Sequence, residues 1–252
     1  MCKWDTLFRA LEPAAAAVPY WVSPGNHEVR YNYSAFKARF AMPSVAGRKP
    51  WPASAAPHAD GNLYYVLRFS WLHMIVLSSE HDLRPGSAQH EWLLHSLRDA
   101  RSSQTQRPWL AVALHRPLYC SEDYTETNVD CGAYARSLRR RLEPLLVQFS
   151  VDLVIQAHIH AYERLWPTGL GGAPARVPHS YDRPDAPVYV MSGAGGCSEG
   201  LDTVWPDVAP TWSAAHASER GFGILKVNRT ALAWSFVAAA NSSVIDGFVL
   251  TK

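Results

Sequence analysis

The stretch Val151–Arg164, VDLVIQAHIHAYER, joins a strongly apolar run to a cluster of polar side chains. The run Val151–Ile155 predicts a buried strand, because short continuous apolar segments are typical of sheets covered on both faces. Two histidines, His158 and His160, follow it one residue apart. On an extended strand residues i and i+2 point the same way, whereas on a helix they diverge by about 200°. The pattern predicts that both imidazoles reach one site at a strand end.

Strands and helices alternate along the rest of the chain. β-rich apolar runs precede amphipathic helical segments, and a short strand, PYWVS, is expected at 19–23 before a Pro-Gly turn. From Gly221 onward the pattern is that of antiparallel strands with turns at Asn228 and Asn241. This order predicts a mixed α/β fold whose sheets are covered on at least one face.

Composition excludes several classes of protein. The chain has 252 residues, of which 48% are hydrophobic, so it can bury one sizeable core. Its net charge of +2 indicates neither a nucleic-acid nor a membrane-surface partner. It has no apolar run of the 18 or more residues that indicates a membrane-spanning helix. The oligomeric state is left open.

Two of the four cysteines flank a polar loop, CSEDYTETNVDC. The spacing of Cys120 and Cys131 differs from the C-x-x-C of zinc and redox sites. A local disulfide is therefore expected, contributing about 2–3 kcal/mol through loop closure. Two free thiols are the alternative.

Three N-x-S/T triplets, at Asn32, Asn228 and Asn241, are candidate glycosylation sites. Together with the cysteine pair they favour an oxidising, secretory compartment. The opening MCKWDTLFRALEP has charges in the wrong places for a signal peptide and lacks an apolar core. We therefore expect that the sequence begins downstream of the start of a complete protein.

Metal-capable side chains follow three separate predicted strands. They are Asn26 and His27 after the first, His115 after the second, and His158 with His160 after the third. In open α/β sheets ligands gather beyond the carboxyl ends of strands. A lone histidine at such a place is more often a hydrogen-bonded loop residue, but three coinciding strand ends favour a site. A pair of metal ions about 3.5–4 Å apart, as in two-metal hydrolases, would suit them.

Several motifs resemble those of the metallophosphoesterase superfamily and, within it, the purple acid phosphatases. They are GNHE at 25–28, LHRPLY at 114–119, AHIHAYERLWP at 157–167, GFGILKV at 221–227 and IDGFVL at 245–250. The segment 18–43 with HRPLYCS resembles most the animal-type iron/zinc purple acid phosphatase-like proteins. The resemblance covers essentially the whole chain.

This resemblance implies an α/β fold of the four-layer α/β/β/α sandwich type, lacking its first strands. It implies a catalytic core over residues 1–180 and a C-terminal region, 186–250, packed on the same core. The implied activity is acid hydrolysis of small phosphate monoesters by a metal-bound hydroxide, at a centre of Fe(III) and a divalent zinc, iron or manganese ion. The implied location is the secretory or lysosomal pathway.

Residue roles follow from the same resemblance. Asn26, His115 and His158 would ligate the divalent ion, and His160 the ferric ion. His27 would orient the substrate or protonate the leaving oxygen. We expect Tyr162, Glu163 and Arg164 to orient the imidazoles, with a structural ion pair as the alternative for Arg164.

The sequence also departs from the family. Purple acid phosphatases carry D-x-G and G-D-x-x-Y motifs before GNHE, and neither stands upstream of Asn26. Asp130-Cys131-Gly132 matches D-x-G only by coincidence, inside the cysteine loop. A fragment, a truncated gene model or a splice form would explain this. The alternatives to an acid phosphatase are therefore an inactive fragment that binds metal weakly or acts through its surface, and a phosphoesterase for diesters or nucleotides.

Overall fold

A computed structural model of the chain describes residues 3–43, 62–122, 129–170, 180–196 and 198–252. The helices are α1 (Lys3–Ala15), α2 (Ser34–Arg39), α3 (Ala88–Ser102) and α4 (Ala135–Gln148). The strands are β1 (Tyr65–Arg68), β2 (Leu72–Val76), β3 (Trp109–Ala113), β4 (Leu153–Gln156), β5 (Tyr162–Leu165), β6 (Ser180–Asp182), β7 (Val188–Ser192), β8 (Ser213–Ala217), β9 (Gly221–Val227), β10 (Ala231–Ala238) and β11 (Val244–Thr251). A 3-10 turn spans Asn26–Val29, and a π-helical turn, Val129–Tyr134, leads into α4.

The strands form two sheets. The larger has the order β1-β2-β3-β4-β7-β5-β8, in which β2, β3, β4 and β7 are parallel neighbours. The smaller has the order β6-β11-β10-β9 and is antiparallel except at the β6–β11 pair. The parallel strands place their carboxyl ends along one edge of the larger sheet, which is where the polar strand ends come together.

The core lies on both faces of the larger sheet. On one face α3 and α4 pack with buried side chains such as Trp92, Leu97 and Leu142. On the other face the smaller sheet packs against the larger one through side chains such as Trp234 and Phe236. Burial of such large aromatic side chains contributes much of the stabilising free energy of a core. The mixed α/β class predicted from the sequence is confirmed, as two stacked sheets with helices outside the larger one.

The prediction of a strand, PYWVS, at 19–23 is wrong, because the structure has no strand there. Prolines bracket the segment, and side chains satisfy its backbone in place of a neighbouring strand. The Val22 N–H donates to Sδ of Met42 at 3.3 Å, and the Val22 carbonyl accepts from the Tyr65 hydroxyl at 2.8 Å. The turns predicted at Asn228 and Asn241 are confirmed, since each amide oxygen accepts backbone N–H groups of the turn.

Cys120 and Cys131 form a disulfide, as the loop spacing predicted. Both are buried in a small cluster with Ile159, Ala161 and Met191, so the disulfide packs directly under the turn that carries the two histidines. Within the described part of the chain, no helix is both long and apolar enough to cross a membrane.

His73 on β2 makes stability depend on pH. It is fully buried, and neither ring nitrogen has a hydrogen bond among the described residues. Burial, and next the charge of Arg68, lower its pKa from 6.5 to about 4, although Asp99 opposes the shift. The unfolded chain therefore takes up this proton first as the pH falls. The contribution of His73 to stability is full above pH 6.5 and is lost progressively toward pH 4.

We expect His73→Leu to remove this dependence. Between pH 6.5 and 4, the free energy of unfolding of the wild type should fall by about 2–3 kcal/mol more than that of the variant. Urea unfolding at both pH values measures the difference. Equal pH dependence of the two proteins would contradict the assignment.

Candidate metal centre

Donor atoms from three segments meet at the carboxyl edge of β3 and β4. His115 follows the end of β3, and His158 follows the end of β4. The two strands are parallel neighbours, with Ala113 opposite Ile155, so the two rings lie side by side with centroids 5.0 Å apart. Two of the three strand ends predicted to share one edge of the sheet thus come together, whereas Asn26 and His27 lie on a 3-10 turn that follows α1 rather than a strand.

The potential metal-ligating atoms of Asn26 and His158 lie close to Nε2 of His115. Oδ1 of Asn26 lies 2.8 Å from this atom, and Nδ1 of His158 lies 3.1 Å from it. Gly25, directly before Asn26, packs against the His115 ring, and a Cβ there would lie 2.9 Å from two ring atoms. Only glycine leaves room for Asn26 to approach this closely.

His115 is held in its neutral form. Burial lowers its pKa to about 3, and the neighbouring His158, Arg116, His27 and His160 lower it in that order. A neutral imidazole keeps a lone pair for a cation, whereas a protonated ring would repel one. His27 and His160 thus lie near enough for their charge to reach His115, although His27 itself is exposed on the 3-10 turn.

The prediction that His158 and His160 lie on an extended strand is wrong. β4 ends at Gln156, and His158 has a left-handed backbone with φ of 75°. Two successive three-residue turns follow, closed by Ile159 N–H to Ala157 O at 3.0 Å and by Ala161 N–H to Ile159 O at 2.8 Å. A left-handed residue other than glycine costs about 1–3 kcal/mol and persists only where its surroundings enforce it.

The surroundings enforce this turn from three sides. The Gln156 side chain accepts from the Leu118 N–H at 2.9 Å and donates to the Tyr119 carbonyl, so it holds the loop after His115 against the turn. Asp202 accepts the His160 N–H at 2.6 Å. Gly193 N–H donates to the Ala161 carbonyl at 3.1 Å. The turn is therefore positioned by contacts that are remote in sequence.

Two charged residues of the site escaped sequence reasoning. Arg116 bonds Glu80 at 3.0 Å and also bonds Asp130. The other oxygen of Asp130 lies 3.2 Å from Nε2 of His158. Asp130 belongs to the D-x-G triplet that we interpreted above as a coincidental match. Its position beside His158 depends on how the disulfide loop folds, and no local sequence pattern predicts that.

Profiles of known families match two parts of the chain. Residues 2–162 match the calcineurin-like phosphoesterases, and residues 186–247 match the C-terminal region of the iron/zinc purple acid phosphatase-like proteins. The chain belongs to the purple acid phosphatase-like metallophosphoesterases. The resemblance that the separated motifs indicated is thus confirmed.

Individual relatives agree with this family. Acid phosphatase type 7 of Homo sapiens is 33% identical over 239 residues, which are 88% of this chain and 50% of that protein. Purple acid phosphatase 18 of Arabidopsis thaliana is 32% identical over 241 residues, which are 93% of this chain and 49% of that protein. This purple acid phosphatase-like chain therefore spans about half the length of the curated relatives it matches.

A solved structure shows the same fold. The purple acid phosphatase from yellow lupin (Lupinus luteus) seeds superposes with a TM-score of 0.84 at 22% identity, over 99% of this chain and 43% of the lupin chain. Almost the whole purple acid phosphatase-like chain thus shares its fold with part of the lupin protein.

The family implies a dinuclear centre of iron and a second metal, and the described residues fit one half of it. One amide oxygen and two imidazole nitrogens, from Asn26, His115 and His158, form a donor set that suits zinc, iron or manganese. Within the described ranges, no three or more His, Cys, Asp or Glu side chains group around a point where they could hold an ion. The described residues therefore fit one cation and do not assemble a complete ligand set for a second.

Tyr162, Glu163 and Arg164, which follow Ala161, make contacts away from the imidazoles. Arg164 binds Asp246 through two bonds of 2.7 and 3.1 Å, and the Tyr162 hydroxyl donates to the same carboxylate at 2.8 Å. Glu163, fully buried, accepts the Ser121 N–H at 2.9 Å. These contacts do not orient the imidazoles, the role expected for the three residues from the sequence. Arg164 instead forms a structural ion pair, which was the alternative for it. The residues join β5 to β11 and to the disulfide loop.

Proposed function

We propose that this chain carries the substrate site of an acid phosphatase that hydrolyses small phosphate monoesters. The observation that supports it most is the convergence of Asn26, His115 and His158 at one point, in a chain of the purple acid phosphatase family. These residues would hold the divalent ion (zinc, iron or manganese), and His160 would contribute to the Fe(III) site. A bound cation pair supplies charge neutralisation of the phosphate and activation of water.

The protein's own residues have distinct tasks in this proposal. The imidazole rings of His115 and His158 would provide nitrogen lone pairs, and the amide of Asn26 would provide an oxygen that adds no charge. His27, exposed at the mouth of the site, would bind the phosphate ester and give a proton to its leaving oxygen. We assign the catalytic core to residues 1–180 and the packing region to 186–250.

Cation binding tests the proposal. Titration calorimetry with Zn²⁺ should show about one saturable site in the wild type. His115→Ala and Asn26→Ala should each weaken Zn²⁺ binding by more than the factor of about 10–100 that is typical when a residue supporting a metal ligand is replaced. His95→Ala, a histidine on α3, is the matched control and should bind as the wild type does. Equal affinity of His115→Ala and the wild type would contradict the ligand assignment.

Turnover separates the candidate functions. With iron and zinc loaded, hydrolysis of an aryl phosphate at acid pH that His115→Ala abolishes would support a phosphatase carried by this chain alone. Cation binding without turnover would favour the second candidate, a module that binds one metal, which the donor set of Asn26, His115 and His158 also fits. Cleavage of a phosphate diester in preference to the monoester would overturn the monoesterase proposal.

Location and modification belong to the same proposal. Asn32, Asn228 and Asn241 are all exposed, and Cys120 and Cys131 are joined, as suits a glycoprotein of the secretory or lysosomal pathway. Mass spectrometry of the protein secreted from a eukaryotic host would identify the occupied asparagines.

A further inference from the structure

Asp130 lies in the π-helical turn that leads into α4 and joins two residues of the site. Its Oδ2 lies 3.2 Å from Nε2 of His158, and its Oδ1 bonds Nη1 of Arg116. The next residue, Cys131, is fully buried and tied to Cys120. The carboxylate is thus fixed on one side by a buried disulfide and on the other by a guanidinium.

The hydrogen bonds of the site determine which nitrogen of His158 carries the proton. Nε2 of His115 faces two atoms, Oδ1 of Asn26 and Nδ1 of His158. The amide oxygen can only accept, so His115 must carry a hydrogen on Nε2. That hydrogen makes Nδ1 of His158 the acceptor within 3.1 Å. A neutral His158 then has its own hydrogen on Nε2, the ring nitrogen that lies 3.2 Å from Oδ2 of Asp130.

We propose that Asp130 is a positioning residue that accepts the Nε2–H of His158 and thereby holds its Nδ1 lone pair toward the cation position. This rests on the proposed function, since the cation gives the orientation its use. A carboxylate behind a metal-ligating histidine fixes the tautomer, orients the ring and raises its basicity. His158 needs such a support because its left-handed backbone lies outside any regular strand that would orient the ring.

Neighbouring contacts keep Asp130 in place. The Arg116 side chain is 15% exposed and lies between Asp130 and Glu80, which is bonded to its Nε at 3.0 Å. Its guanidinium also stacks 4.4 Å from the Tyr134 ring. Arg116 therefore has little freedom to leave, and the carboxylate is set against His158 before any cation arrives.

The first test reads the tautomer in the metal-free protein. Imidazole nitrogen chemical shifts, recorded at about pH 8 where an ordinary histidine is neutral, should show His158 with its proton on Nε2. In Asp130→Asn the Nδ1–H form should appear, because the amide turns its NH₂ away from Arg116 and toward His158. Asp130→Glu, which keeps a carboxylate, should retain the Nε2–H form. An Nδ1–H tautomer in the wild type would overturn the proposal, whether or not the protein binds metal.

The second test measures Zn²⁺ affinity of the same proteins by calorimetry. We expect Asp130→Asn to bind about 10–100-fold more weakly and Asp130→Glu to recover part of the loss. Asp99→Asn is the matched control, since Asp99 is also paired with an arginine, Arg68 at 2.6 Å, and is 43% exposed against 37% for Asp130. Equal affinity of Asp130→Asn and Asp99→Asn would overturn the proposal. Absence of binding by the wild type would overturn the proposed function, and the tautomer would still decide on Asp130.

Discussion

Gly193→Ala should unfold the chain at a markedly lower urea concentration than the wild type. A Cβ on Gly193 would lie 1.8 Å from the carbonyl oxygen of Ile159, far inside any contact that side chains make. That oxygen accepts the Ala161 N–H within the histidine turn, and the Gly193 N–H donates to the Ala161 carbonyl, so neither backbone can move aside alone. We expect a loss of about 3 kcal/mol in the free energy of unfolding.

The neighbouring glycine is the matched control. A Cβ on Gly195 would meet nothing within 4 Å, so Gly195→Ala should change stability little. Thermal unfolding should separate the two variants by about 6–12 °C for a chain of this length. Because the clash lies between His158 and His160, Gly193→Ala should also weaken Zn²⁺ binding, unlike Gly195→Ala. Equal melting temperatures would refute the close approach.

Arg164→Met should destabilise the protein by about 3–5 kcal/mol, because it leaves a buried carboxylate without its counter-ion. Arg164 and Asp246 have side chains only 2% and 7% exposed. Burial by itself would raise the pKa of Asp246, but the bonds from Arg164 and Tyr162 hold it below its ordinary value. Asp246 is therefore charged in the fold, with Arg164 bound to it as a buried counter-ion. Urea unfolding at neutral pH measures the loss.

Two comparisons make this result specific. Arg164→Met combined with Asp246→Leu removes both charges, and it should be less destabilising than Arg164→Met alone. The exposed pair of Arg183 and Asp182, 76% and 65% exposed, is the surface counterpart. Arg183→Met should cost at most about 1 kcal/mol. A loss of similar size at both arginines would mean that the buried pair does not join β5 to β11 as described.

The predictions that held are those that rest on local patterns. Apolar periodicity predicted the alternation of buried strands and amphipathic helices, because burial of a strand or a helix face constrains residues that are near in sequence. Loop spacing predicted the disulfide, and the motifs around Asn26, His115 and His158 predicted the family. The meeting of the strand ends before His115 and His158 followed from parallel strands sharing one edge of a sheet.

The misjudged features depend on partners remote in sequence. Val22 looked like part of a strand, but side chains rather than the backbone of a neighbouring strand satisfy its backbone groups. Arg164 lies only four residues after His160, yet its partner is Asp246, 82 residues away. A sequence pattern cannot show which remote carboxylate a buried guanidinium meets, because that depends on how the two sheets stack.

The sequence by itself determined that this chain is a mixed α/β protein of the purple acid phosphatase type, with imidazole side chains after two strand ends and an amide in the GNHE segment. Only the tertiary structure decided how those donors are aimed. The left-handed turn at His158 is positioned by Gly193, which follows β7 and bonds Ala161, and by the loop after His115, which the Gln156 side chain holds in place. Asp130 reaches His158 because a disulfide and Arg116 fold its loop back. The directions of these side chains depend on packing between segments remote in sequence, whereas the periodicity of a strand or helix is visible in its local sequence.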